Sequence, residues 1–178
     1  MFSDILGIPA HPLWVHGAVV MVPLLALFAA VYAVVPRWRA KVGWLVAGLA
    51  VIAPLAALAA KLSGDKLLAA RYAAGPPEAI LNHRTLGTTT FWLTLALGLA
   101  TGLLLMAIGG RLSSSTDRAL TELPAARASA PSGGSGKPSR AKWLRTGSQV
   151  LVLILAALTA FYVARTGDSG AANVWGRS

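Results

Sequence analysis

The sequence predicts an all-α protein, an integral membrane bundle of four transmembrane helices with a short interfacial helix and a disordered cytoplasmic linker. Apolar stretches at about 13–35, 43–60, 86–108 and 147–164 each approach the ~20 residues that a helix needs to cross a hydrocarbon core. None alternates with a period of two, and an unpaired backbone amide in lipid is costly, so helices rather than barrel strands do the spanning. Composition agrees: with 56% hydrophobic and 12% charged residues, too few polar side chains exist to coat a water-soluble globule. The whole chain, 1–178, therefore reads as a single transmembrane domain.

The elements follow in order. Residues 1–10 carry Asp4 and neither Lys nor Arg, unlike a signal peptide, so the first span is expected to be retained. His11-Pro12 reads as a cap followed by proline at the first helical position, with His16 a little over a turn inside. Pro23 and Pro54 fall near mid-membrane; each removes a helix hydrogen bond, which predicts a kink or, alternatively, a freed carbonyl lining a cavity. Ser63-Gly64-Asp65 reads as a turn closing the second span, residues 66–74 as a short amphipathic helix on the interface, and Gly75-Pro76-Pro77 as a break. Proline in a first turn followed by Glu78 starts the third helix near Pro77 and puts His83 about two turns into it. Steps of three and four from His83 give Gly87, Thr90, Thr94 and then Gly98 or Thr101, a polar and small stripe expected to face the bundle interior. Gly98 and Gly102 form a G-x-x-x-G pair suited to close helix contact, as do the many alanines of the second span. Residues 111–146, with Ser113-Ser114-Ser115 and Pro131-Ser132-Gly133-Gly134-Ser135-Gly136, read as a flexible linker before the fourth span. No repeat of solenoid length and no inverted repeat is apparent.

Orientation follows from the basic residues. The termini and the second connection share a side with Lys61, Lys66, Arg71, Arg84, Arg165 and Arg177, balanced by Asp4, Asp65, Glu78 and Asp168. The opposite side has Arg37, Arg39, Lys41, Arg111, Arg118, Arg127, Lys137, Arg140, Lys142 and Arg145 against only Asp117 and Glu122. The positive-inside rule makes that side cytoplasmic and places both termini outside the cytoplasm, in a bacterial inner membrane. Trp14 and Trp175 at one boundary and Trp38, Trp44 and Trp143 at the other form the expected aromatic belt.

Several function classes are excluded. The net charge of +10 belongs to residues beside the spans, and no nucleic-acid module accompanies it, so membrane lipid rather than nucleic acid is the expected partner. Without cysteine, disulfides, thiolate metal sites and covalent c-type haem attachment are impossible. There is no G-x-S-x-G, no H-E-x-x-H and no P-loop; Gly133-Gly134-Ser135-Gly136-Lys137 lacks the spacing of a phosphate loop.

What remains is histidine. His11, His16 and His83 all map to the same ends of the first and third helices, with Asp65, Arg84, Arg165 and Asp168 around them. Ionisable groups at membrane depth are expensive and therefore mark candidate sites. Each has a structural alternative: His11 as a cap, His16 and His83 as hydrogen-bond donors across helices, Asp65 as a cap, and Arg165 as a snorkelling cation.

His11-Pro12-Leu13-Trp14-Val15-His16, Ser63-Gly64-Asp65, His83 and Thr166-Gly167-Asp168-Ser169-Gly170-Ala171 together resemble a bacterial family of four-helix membrane proteins catalogued as a domain of unknown function. The resemblance covers nearly the whole chain apart from the linker. Many relatives have G-H-x-G where this chain has Gly167-Asp168-Ser169-Gly170, so Asp168 stands in place of a fourth histidine and a four-histidine or two-haem centre is not expected here. Some relatives are joined to redox modules, which implies electron-transfer chemistry.

Three functions follow. In the first, His16 and His83 are axial ligands of haem b, or His11, His16, His83, Asp65 and Asp168 supply a divalent metal site, in a small redox component. In the second, the protein is an accessory subunit of a larger membrane complex. In the third, the same groups form a proton or solute pathway. A redox partner and homo-oligomerisation both remain open.

Overall fold

The computed structural model describes residues 4–5, 8–72, 74–122 and 140–175. A two-residue antiparallel ladder, β1 (Asp4–Ile5) with β2 (Ile8–Pro9), precedes four helices: α1 (Ala10–Val34), α2 (Arg39–Arg71), α3 (Glu78–Glu122) and α4 (Arg140–Trp175). A single 3₁₀ turn, Pro36–Trp38, joins α1 to α2. Each helix carries a segment long and apolar enough to cross a membrane: His11–Val34, Pro36–Arg71, Glu78–Ile108 and Trp143–Ala172. They pack as a ring in which α1 meets α2 and α4, and α3 meets the same two, while α1 and α3 face each other across the diagonal. The outer face is apolar, with Leu27, Val51, Leu99, Met106 and Phe161 exposed. Such a surface is stable against lipid and would aggregate in water.

The core is narrow and made largely of small residues. Val22, Leu25 and Ala29 of α1, Val46 and Ala53 of α2, Leu97 and Leu104 of α3, and Val152 and Ala156 of α4 are buried together. Because lipid chains are as apolar as leucine, helices in a membrane gain little from hiding apolar area and hold together through close packing and interhelical hydrogen bonds. Gly98 shows the closest packing. A Cβ there would lie 2.7 Å from the Ala50 carbonyl oxygen and 3.1 Å from Pro54 Cγ. Pro54 has no N–H, so Ala50 is the carbonyl that its ring leaves without a helical donor. The backbone of α3 at Gly98 covers that oxygen, which therefore lines no cavity. Gly102, the other half of the G-x-x-x-G pair, has nothing within 4 Å of its Cβ position.

The end of α1 is held in a comparable way. Arg39 donates from Nε to the Tyr32 carbonyl at 2.9 Å and from Nη2 to the Ala33 carbonyl at 2.8 Å, and Gln149 of α4 donates to the same Ala33 oxygen at 2.7 Å. The last carbonyls of a helix have no partner within it, and a cation at that end also meets the negative pole of the helix dipole. The guanidinium carbon also stands 5.8 Å from the Tyr32 ring centroid.

Several boundaries differ from the sequence expectation. Ser63-Gly64-Asp65 is not a turn: α2 runs through it without a break to Arg71, so the expected interfacial helix continues the second span. The triplet's turn formers are outweighed because Ser63 bonds the Ala60 carbonyl and Gly64 packs against another helix. The break falls at Gly75, whose φ of 114° is left-handed and suits only glycine without strain. His11 and Pro12 both lie inside the first turn of α1, so His11 is not its cap. The expected linker at 111–146 is helical at both ends, to Glu122 and from Arg140, and its middle, 123–139, lies outside the described residues.

The two halves of the bundle repeat one another, which the sequence did not announce. At one constant offset His11 pairs with His83, Val22 with Thr94, Leu25 with Leu97, Ala26 with Gly98 and Ala29 with Thr101, every pair after the histidines being buried in both helices. At a second offset Ser63 pairs with Ser169, Gly64 with Gly170, Ala53 with Thr159 and Val46 with Val152. The α1–α2 hairpin thus corresponds to α3–α4, a parallel repeat with its pseudo-axis along the bundle.

Three substitutions test this packing in detergent-solubilised protein by denaturant titration. Gly98→Ala is expected to cost about 1–3 kcal/mol through overpacking, while Gly102→Ala is neutral or stabilising by up to about 1 kcal/mol. Arg39→Ala is expected to cost about 1.5–3 kcal/mol, the usual range for hydrogen bonds to a charged group.

Candidate histidine site

His11 and His83 occupy equivalent places at one rim of the bundle and are held by the same device. The Nδ1 atom of His11 lies 3.0 Å from Ser63 Oγ, and Ser63 Oγ lies 2.9 Å from the Ala60 carbonyl. The Nδ1 atom of His83 lies 2.8 Å from Ser169 Oγ, and Ser169 Oγ lies 2.9 Å from the Thr166 carbonyl. A carbonyl only accepts, so each serine gives its one hydrogen to the backbone and receives the ring hydrogen. Both rings are therefore assigned as Nδ1–H tautomers with a lone pair on Nε2.

Glycine makes room for each ring. A Cβ at Gly64 would lie 3.0 Å from His11 Cε1, and one at Gly170 would lie 3.1 Å from His83 Cε1. Behind His83, Thr90 and Thr166 share a hydrogen bond of 2.9 Å, and each also donates to or sits on the carbonyl one turn earlier, Leu86 and Tyr162. Thr94 extends the ladder to the Thr90 carbonyl at 2.7 Å. The polar stripe expected on the third helix thus does face inward, with Thr90, Thr94 and Thr101 buried. Next to His11, three residues along the same helix face, the indole N–H of Trp14 is buried without an acceptor.

The remaining candidates sit elsewhere. His16 is exposed and turns its Nδ1 back to the Pro12 carbonyl of its own helix at 2.6 Å. Asp65 is engaged by Lys61 at 2.7 Å and by Arg84 at 2.8 Å, an ion cluster tying α2 to α3. Asp168 and Arg165 are exposed on α4. Among the described residues no group of three or more His, Asp or Glu stands together as a metal site, so the five-residue set is not assembled. The structure holds His83 and His11 by the same kind of contact and leaves His16 bonded to its own helix. Sequence reasoning missed Ser63, Ser169, Gly64 and Gly170 as working residues, although the repeated Ser-Gly dipeptide was the available signal.

Fold and site together define a polytopic membrane protein: a duplicated four-helix bundle with a pair of clamped imidazoles at one rim. The chain belongs to the family described as predicted membrane protein (DUF2231), whose model matches residues 7–178. Neither a curated protein nor a solved structure matches it.

The tautomer assignment has a direct readout. In ¹⁵N-histidine NMR the His11 and His83 rings are expected as Nδ1–H with unprotonated Nε2, as is His16 on the Pro12 carbonyl, and Ser63→Ala and Ser169→Ala should release only His11 and His83 respectively into tautomeric exchange.

Proposed function

We propose that this protein is a small redox component of the membrane that holds one haem b through Nε2 of His11 and Nε2 of His83. The carrying observation is the matched clamp: a serine, itself bonded to a backbone carbonyl, fixes each Nδ1–H and leaves Nε2 free. Histidines that ligate metals almost always donate their other ring N–H in this manner, which sets the tautomer and raises ligand basicity. Haem suits the arrangement better than a bare divalent ion. Haem iron brings four nitrogens of its own and asks the protein for axial ligands only, whereas a structural zinc asks for about four side chains, and only two are placed alike here. The unpartnered Trp14 N–H suits a ligand with carboxylates, as haem has. On the charge asymmetry the site faces away from the cytoplasm.

The pathway reading gains nothing comparable. Asp65 is neutralised by two cations, and the carbonyl freed by Pro54 is covered by Gly98. The accessory-subunit reading predicts that the histidines can be lost without consequence, which the same experiment decides.

Protein purified in mild detergent after expression with added haem precursor is expected to show a Soret band at one haem per chain. His11→Ala and His83→Ala should each abolish or grossly alter it, and His16→Ala should leave it unchanged. Ser63→Ala and Ser169→Ala should weaken haem retention about 10–100-fold. A folded, colourless protein that takes up no haem overturns the proposal.

A further inference from the structure

The two halves of the repeat agree in register and differ in polarity. Where the first half has Ala18, Val22, Ala29, Ala53 and Ala60, the second has Thr90, Thr94, Thr101, Thr159 and Thr166. A threonine in a spanning helix commonly donates its hydroxyl hydrogen to the carbonyl one turn earlier, and Thr85, Thr89, Thr90, Thr94 and Thr166 do so. Thr101 and Thr159 do not. Both are wholly enclosed, at 0% exposure, and neither hydroxyl has a hydrogen-bond partner among the described residues. A hydroxyl left so in an apolar core keeps the full penalty of its lost hydration.

The relative depth of the two hydroxyls follows from the bond between Thr90 and Thr166, which at 2.9 Å sets one level on both helices. Thr159 lies seven residues from Thr166 along α4, and Thr101 eleven from Thr90 along α3, both away from the histidine rim. Those intervals are about two and three helical turns, so both side chains return to the stripe that carries the Thr90–Thr166 bond. At ~1.5 Å per residue the two hydroxyls differ in depth by about 6 Å. That is too far for a direct bond and close to the ~5.5 Å that one water covers with a hydrogen bond of about 2.8 Å on each side. The residues that the repeat sets opposite them, Ala29 and Ala53, are small and buried in the same core. A buried water needs at least two polar partners, and each hydroxyl can either donate or accept.

We infer that one water molecule is bound in the core of the bundle, bridging Thr159 Oγ1 and Thr101 Oγ1 deep within the spans. Bulk water does not enter through lipid, so this molecule is enclosed as the bundle folds and becomes part of the structure. The site uses neither histidine of the rim and does not require haem.

The test is NMR transfer of magnetisation from water to threonine methyl groups in the full chain in nanodiscs. The Thr101 and Thr159 methyls are both expected to receive it at short mixing times. Thr101→Val, which keeps the shape and removes the hydroxyl, should abolish the transfer at Thr159, and Thr159→Val should abolish it at Thr101. Thr101→Ser, which keeps the hydroxyl, should preserve the signal at Thr159. In denaturant titration each valine substitution should lower the folding equilibrium constant about fivefold or more, and the double variant should lose less than the product of the two, since both act on the same water. Dry hydroxyls give the opposite sign, because valine then removes an unpaired polar group. Absence of transfer at either threonine of the unmodified protein overturns the inference, as does transfer at Thr159 that persists in folded Thr101→Val, or stabilisation by either valine.

Discussion

In a hydrocarbon surrounding, a polar group that a helix leaves unpaired has to be met by another part of the protein, because no water reaches it. Each well-defined junction of this bundle is an instance. The C-terminal carbonyls of α1 are met by Arg39 and Gln149. The carbonyl released by Pro54 is shielded from lipid by the backbone of α3 at Gly98. The ring N–H groups of His11 and His83 are met by serines at the ends of α2 and α4. The apolar core contributes shape but little selectivity, since Val, Leu and Ala are as content against lipid as against one another. What fixes the register of the four helices is this small set of polar contacts, each with one admissible partner.

The same constraint explains why two glycines follow two serines. To reach Nδ1 of a ring across a helix interface, the serine must sit close to it, and the next residue on that face must then lie against the ring itself. Gly64 and Gly170 leave that space. Ser-Gly would ordinarily weaken a helix interior, yet both dipeptides sit inside α2 and α4. The local helix preference is sacrificed at two corresponding points, a pattern expected of sites that serve an interaction rather than stability. Repetition strengthens the case: packing against lipid can be satisfied by many sequences, whereas a serine, a glycine and an imidazole in register twice in one chain describe one device used twice.

That the chain forms four long apolar helices was legible in the sequence because hydropathy over some twenty residues is a strong, local signal. The inward stripe of Thr90, Thr94 and Thr101 was legible for the same reason, as helical periodicity places it without any knowledge of partners. The end of α2 was not. Ser63-Gly64-Asp65 has the composition of a turn, and only contacts with α1 and α3, distant in sequence, keep it helical. The equivalence of His11 and His83 was not legible either: the sequence reading made His11 a cap and gave the haem to His16, which lies further along α1. Depth along a helix says nothing about face, however, and the interior face of α1 runs through His11, Val22, Leu25 and Ala29. The repeat escaped because its halves share register and a few key residues but little residue identity, Thr94 standing for Val22 and Thr101 for Ala29.

A duplicated bundle with one open seam is also a directional one. If both seams were packed alike, the two imidazoles would be interchangeable and a ligand at the rim would be approached equally from either flank. The ion cluster of Lys61, Asp65 and Arg84 closes the flank between α2 and α3; the corresponding residues on the other flank, Gly167, Ala171 and Pro12, can form no ion pair. Charge and bulk thus accumulate on one seam and small residues on the other. Symmetric clamps set the geometry of the rim, and the departure from symmetry makes its two flanks chemically distinct.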